Sequence, residues 1–280
     1  TLAAIGETIE ESAGLFNIGL EGILLISALS GALGAEASGS ALIGLTVGMG
    51  TGALIGLVFG VVNTYWKGSQ LITGVGINLF AFGFVAFMLI TLGAPGFHSV
   101  PRAVQIQLIP LGVGSLSPLV IVTVILAVGV YWLLRRTQLG LRIRAVGENP
   151  AAADVAGIRV NALRLGTAVA AGCLAGLAGA YLSVDWFGAV TKEIVAGRGF
   201  IALATVVFSG LNPLLALLGG FIFGFFDTLA TWIPTYPKVK DVIPWQLVAM
   251  APYIVTLLVV AGAIGRVQFP KALGNPYFRE

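Results

Sequence analysis

Apolar stretches of membrane-crossing length alternate with short polar breaks along nearly the whole chain. About 20 apolar residues cross a bilayer as a helix, and the pattern predicts spans at about 12–35, 41–62, 71–92, 117–134 and 163–184. The uncharged stretch 199–226 is too long for one helix. The turn Gly210–Leu211–Asn212–Pro213 splits it into a short segment, 199–209, and a full one, 213–233. A last span at about 246–265 follows a loop with Pro234, Pro237 and Pro244. The expected fold is an all-α, polytopic membrane helical bundle of about eight segments, one of them short, in a single domain over residues 1–280.

One polar break is far longer than the rest. Residues 135–164 hold six of the fifteen Lys and Arg residues and carry their own helix signals. Asn149 is a good N-cap, Pro150 suits the first helical position, Ala151 to Ala153 propagate a helix, and Gly157 can close it in a left-handed turn. A basic loop holding a capped helix between two spans reads as a docking surface for a cytoplasmic partner, or as a helix lying on the membrane surface. The distribution of Lys and Arg orients the chain. With the island inside, the inner segments hold ten of them: Lys67, Arg135, Arg136, Arg142, Arg144, Arg159, Arg164, Arg266, Lys271 and Arg279. The outer ones hold five: Arg102, Lys192, Arg198, Lys238 and Lys240.

Composition agrees with the pattern. The chain is 58% hydrophobic and 10% charged with a mean hydropathy of +1.00, against roughly a quarter charged residues in soluble domains. A net charge of +3 with no basic soluble face excludes a nucleic-acid partner. One cysteine, Cys173, leaves no disulfide framework and no cysteine metal site within the chain. The chain opens at Thr1 rather than Met, which leaves a preceding helix open.

Gly44, Gly48, Gly52, Gly56 and Gly60 recur every fourth residue, and Gly172, Gly176 and Ala180 repeat the device later. Helices in lipid gain little from hydrophobicity against each other, so small residues that let backbones approach predict tight packing at both sites. Ionisable or amide groups inside a span are costly and are candidate sites. Asn17 and Glu21 are spaced by one turn on one face of the first span, and Asn78 sits near the middle of the third. Each reads as a polar tie, as part of a substrate path, or as a proton site. Asp227 reads as a tie or a snorkelling acid, and Arg198 as an interfacial anchor at the outer mouth. Trp186, Phe187 and Phe200 suit either stacking on a base or an interface belt. His98 lies in an outer loop without a partner cluster. There is no GxxxxGK[ST] loop, no His-Glu-x-x-His sequence and no serine with a plausible base.

Three segments together resemble one family. GLFNIGLEGILLISA (14–28), AVGENPAAADVAGI (145–158) and IVAGRGFIALATVVFSGLNPLLALLGGFIFG (194–224) are similar to permease subunits of ABC importers of the ribose, nucleoside and branched-chain amino-acid group. The last of these, with LITGVGINLFAFG (71–83) and the tail FPKALGNPYFR (269–279), resembles the nucleoside-type branch. Ile23 departs from the polar residue or Met usual after FNIGLEG.

The resemblance implies a multi-pass permease of a prokaryotic plasma membrane with no catalytic residue and no cofactor of its own. ATP and Mg would be bound by a separate cytoplasmic ATPase. Residues 147–157 would form the coupling helix. Gly147 and Gly157 would make the turns at its ends, with Asn149 and Pro150 opening it. Ala152 and Ala156 would face the ATPase, with Glu148 and Asp154 as polar edge contacts. The path would run between this chain and a second, related permease chain, fed by an extracytoplasmic lipoprotein. The cargo implied is a nucleoside, purine ahead of pyrimidine, with simple sugars such as ribose as an alternative. An ion-coupled secondary transporter, with Glu21 or Asp227 carrying the coupling ion, is the rival of another class.

Overall fold

A computed structural model describes residues 1–110, 115–232, 250, 254 and 268–278. The chain folds as ten helices among the described residues: α1 (Leu2–Ser12), α2 (Leu20–Ser38), α3 (Ala41–Thr64), α4 (Gln70–Thr91), α5 (Pro118–Arg136), α6 (Gln138–Glu148), α7 (Pro150–Val155), α8 (Val160–Tyr181), α9 (Arg198–Ser209) and α10 (Pro213–Trp232). Four two-residue strands, β1 (His98–Ser99), β2 (Ile109–Pro110), β3 (Ser115–Leu116) and β4 (Ala189–Val190), pair antiparallel as β1–β4 and β2–β3 in the loops. Among the described residues, six helices are long and apolar enough to cross a membrane: α2, α3, α4, α5, α8 and α10. Helix α9 is the short segment expected at 199–209, and the turn before Pro213 is where the sequence places it. The last expected span, 246–265, lies outside the described residues.

Helices α3 and α8 form the centre, joined by the glycine ridge. A Cβ on Gly52 would lie 2.5 Å from the Gly176 Cα and closer still to the Gly172 carbonyl oxygen, and one on Gly48 would strike Ala180. Only hydrogen fits there, so the two helices touch closely from Gly48 to Gly56, the packing the four-residue repeat predicts, while Gly60 meets Leu165 and Ala168 of α8 and Gly44 meets Gly31 and Ala35 of α2. Helix α2 packs on both α3 and α8, with α4 on its other side. The apolar outer faces of α3, α4 and α5 are exposed, as lipid-facing surfaces must be.

Two expectations need correction. The span expected at 12–35 is not one helix: α1 ends at Ser12, and α2 begins only at Leu20. Gly14, at φ +87°, ends α1, and the Asn17 side chain accepts a hydrogen bond from the Gly19 N–H at 2.9 Å, stabilising the turn into α2. Apart from Asn17 the intervening residues carry no polar side chain, so hydropathy alone runs straight through the break. Asn17 and Glu21 therefore do not share a helix face. The second correction concerns the basic island, which holds two helices rather than one. Thr137 caps α6 by accepting from the Gly140 N–H at 3.1 Å. Helix α6 buries Gly140, Ile143, Val146 and Gly147 against α1, α5, α7 and α8 while Arg142 and Arg144 are exposed.

Lys67, the island and the tail gather at one end of the bundle. Lys67 Nζ donates to Asn161 Oδ1 at 3.5 Å, and Lys271 pairs with Glu148 at 2.9 Å. The opposite end carries the β1–β4 ribbon, where the Val100 N–H donates to the Gly188 carbonyl at 2.9 Å. His98, expected to stand alone, has a partner there: its Nε2 is 2.9 Å from both oxygens of Glu36.

Candidate transport and coupling sites

Two polar constructions stand out in the apolar bundle, one inside it and one at the island end. The inner one is built around the start of α9. From β4 the chain turns back into the bundle, and Ala196 (φ +47°) and Gly197 (φ +81°) make a tight left-handed turn. That turn aims the first N–H groups of α9 at Glu21. Gly197 N–H donates to Glu21 Oε1 at 2.7 Å and Gly199 N–H to Oε2 at 2.8 Å. A helix start has unsatisfied N–H groups and a positive dipole end, so the Glu21 carboxylate acts as a cap delivered from another helix. Gly199 also allows close approach, since a Cβ there would lie 2.6 Å from the Glu21 nitrogen.

Arg198 completes the anchor. Its Nη2 and Nε donate to Asp227 Oδ2 of α10 at 2.7 and 3.2 Å, and its Nη1 donates to the Ile194 and Val195 carbonyls. The guanidinium lies 5.2 Å from the centre of the Phe187 ring, within cation–π range. Asp227 is thus a tie, as one of its two expected readings had it. Arg198 is a tie as well, rather than a free interfacial anchor. Helices α9 and α10 run antiparallel: the start of α9 meets Asp227 far along α10, and Phe208 near its end packs tilted against Phe223, ring centres 5.5 Å apart. Trp186, Phe187 and Phe200 are all about half exposed.

Asn78 is placed one layer away. Its Oδ1 accepts from the Gly22 N–H at 2.7 Å and its Nδ2 donates to the Ile18 carbonyl at 2.9 Å, clamping α4 to the start of α2. The Asn17 N–H donates to Glu7 Oε1 at 2.9 Å. Asn17, Glu21 and Asn78 are all buried, and each fastens backbone.

Sequence reading missed the acids of α1. Glu7, Glu10 and Glu11 are fully buried, and the Glu10 and Glu11 carboxylates have no hydrogen-bond partner among the described residues. Their three- and four-residue spacing was a legible helix face, but three acids in eleven residues disqualify a segment as a span by hydropathy.

The second construction is the island end. Asn149 Oδ1 accepts from the Ala152 N–H at 3.0 Å, Pro150 opens α7, and Gly157 adopts φ +83° after it, all as the sequence signals require. Gly147 does not sit in a turn. It lies inside α6, where a Cβ would strike the Ser12 carbonyl oxygen of α1 and lie 3.1 Å from Pro270 Cβ. Ala152 and Ala156 are exposed, and Val155 between them is 92% exposed, an apolar residue presented to solvent that sequence reading did not single out. Glu148 and Asp154 reach the tail instead: Glu148 pairs with Lys271, and Tyr277 donates to Asp154 Oδ2 at 3.0 Å. The hydrogen bond from Lys271 holds the Glu148 carboxyl below its usual range and the Lys271 ammonium above its own.

A polytopic helical bundle with a half-length helix anchored inside it, and a capped helix presented at its basic end, is the architecture of a multi-pass membrane protein. The chain belongs to the family described as branched-chain amino acid transport system / permease component, whose model matches residues 1–261. It is 35% identical to the guanosine ABC transporter permease NupQ of Bacillus subtilis over 99% of this chain and 92% of that one. Identity to the nucleoside ABC transporter permease NupC of Lactococcus lactis is 31% over the same shares. The putative glucose ABC transporter permease TsgC13 of Haloferax volcanii is 31% identical over 100% of this chain and 94% of its own length. No solved structure matches.

The chain is therefore a multi-pass permease subunit of an ABC importer in the plasma membrane, and ATP hydrolysis belongs to a separate ATPase. The reading as an ion-coupled secondary transporter is set aside.

Proposed function

We propose that this permease imports nucleosides, purine nucleosides foremost. The carrying observation is similarity over nearly the whole chain to NupQ and NupC, permeases named for guanosine and for nucleosides. The geometry is compatible with an uncharged cargo. Arg164 of α8 and Arg198 of the half-helix both spend donors on the protein's own oxygens. Neither is left to hold a phosphate or carboxylate. The similarity to TsgC13 favours a sugar as the second reading. The test is uptake of labelled guanosine by the reconstituted complex, with ribose and glucose as competitors. Sugar uptake that no nucleoside competes with would sink the nucleoside assignment.

The exposed Ala152–Val155–Ala156 face of α7 docks on the ATPase, which binds ATP and Mg. Gly157→Val would force a β-branched residue into a left-handed conformation at a cost of about 1–2 kcal/mol, and Ala152→Trp would obstruct the face. ATPase binding that survives both changes would rule out this docking mode. The path runs between this chain and a second, related permease chain, fed by a substrate-binding lipoprotein. Asn17, Glu21 and Asn78 shape its wall by fixing the start of α2 and of α9.

A further inference from the structure

Arg164, in the first turns of α8, is the largest fully buried side chain among the described residues, at 1% exposure. A buried guanidinium must satisfy five N–H donors in a fixed planar fork. Arg164 places three of them on backbone carbonyls from two distant parts of the chain. Its Nε donates to Ala13 at 3.1 Å, its Nη1 to Asn275 at 3.0 Å and its Nη2 to Ala272 at 3.5 Å. Ala13 is the C-cap of α1, where carbonyls lack helical partners and the dipole end is negative, so the cation suits that position. Asn275 and Ala272 belong to the tail.

The same tail segment is fastened at its other contacts to the island. The Ala272 N–H donates to the Gly147 carbonyl at 3.0 Å, and the Gly274 N–H to the Gly14 carbonyl at 3.2 Å. Tyr277 reaches Asp154 of α7 and packs with Val146, Ala153 and Val160. A continuous series of bonded groups thus runs from α7 through the tail and Arg164 to the break between α1 and α2. That break contains Asn17, and at its far end, the second residue of α2, is the Glu21 cap of α9.

We propose that Arg164 and the tail it grips form the link through which movement of α7 reaches the α1–α2 break, making Arg164 a positioning residue for ATP-driven transport. The proposal rests on the reading of α7 as the ATPase contact. A rigid link is what coupling requires, because two arrangements of the bundle can be biased from the ATPase side only through groups that move together. Arg164 supplies rigidity that a lysine does not: its three nitrogens reach three separate carbonyls from one fixed fork, where an ammonium offers a single nitrogen.

The experiment uses the full complex in proteoliposomes, reading import of labelled guanosine per ATP hydrolysed. Glucose replaces guanosine if the wild-type complex carries that instead. Arg164→Lys should retain ATPase association and basal hydrolysis while the import-to-hydrolysis ratio falls about tenfold. Tyr277→Phe, which deletes only a hydroxyl at the α7 end, should lower the ratio about threefold. Should Arg164→Lys fail to fold, Tyr277→Phe decides alone. Wild-type ratios in both variants, or parallel loss of ATPase association and import in Tyr277→Phe, would overturn the link. Failure of the docking reading is seen separately, as ATPase association that survives Ala152→Trp.

Discussion

The α3–α8 seam and the Glu21–α9 anchor solve the same problem, holding helices together in lipid, by opposite means. The seam uses no polar side chain. Gly48, Gly52 and Gly56 on one helix meet Ala168, Gly172, Gly176 and Ala180 on the other, and adhesion is spread over many small contacts, including Cα–H groups near carbonyls worth about 0.5–1 kcal/mol each. The anchor concentrates adhesion in one carboxylate with two N–H donors and one Arg–Asp pair. A distributed seam has no single point of release. An anchor made of two or three directed bonds has two definable states, bonded and released. A transporter needs both, a fixed frame and a part that can be let go.

The largest effect should come from the seam. Gly52→Val puts a branched side chain where even a Cβ does not fit, and overpacking costs typically 1–3 kcal/mol even where neighbours can yield. Here the obstacle is backbone, so loss of folded protein is expected, read as monodisperse yield after detergent extraction. Wild-type yield would mean that the seam is not close-packed.

Glu21→Gln should come next. It keeps the shape but replaces a charged acceptor with an amide, weakening charge-assisted bonds worth about 1.5–3 kcal/mol. Transport should drop while assembly with the ATPase persists, which would separate the anchor from the frame. Equal loss of assembly and transport would place Glu21 with the frame. Asn78→Leu sharpens the same contrast: it removes the clamp between α4 and α2, and transport should fall more than folded yield.

Asp227→Asn should have a smaller effect. The Arg198 pair is partly exposed, at 22% and 34% for the two side chains, and such pairs are worth on the order of 1 kcal/mol. Arg198 also keeps its two carbonyl acceptors. A modest rise in protease sensitivity of α9, with folded yield unchanged, is the expected reading.

Smallest of all is the exposed Glu148–Lys271 pair. The lysine lowers the Glu148 pKa from its ordinary 4.5. Its contribution to tail docking is therefore full above pH 4.5 and lost as pH falls through the lower, folded value. Tail protection from proteolysis should be flat from pH 6 to pH 8 and should be weakened slightly by salt. A marked change near neutrality would assign tail docking to another group.

The seam was legible in the sequence because its signal is a local period: a glycine every fourth residue needs no knowledge of the partner. The cap of α7 was legible for the same reason, with Asn149, Pro150 and Gly157 in order. Glu21 could be recognised as costly, but not as a cap for α9, because its partners are backbone groups that carry no mark in the sequence. Asn17 was assigned to a helix face because the apolar run conceals the break that Gly14 and Asn17 themselves make. Arg164 counted only as an inner positive charge, since nothing in the local pattern around it reveals that its acceptors lie in the tail.

The separation of Glu21 from Gly197, 176 residues, also bears on how the protein is made. At synthesis rates of about 5–20 residues per second, roughly 10–35 s pass between the two residues leaving the ribosome. Through that interval α2 carries into the membrane a carboxylate whose eventual N–H donors have not yet been translated. An acid at that depth is expensive in lipid, so the early helices favour waiting beside the insertion machinery until α9 arrives. Placement of α9 therefore closes the bundle in time as well as in space, and the half-helix is among the last parts that can settle.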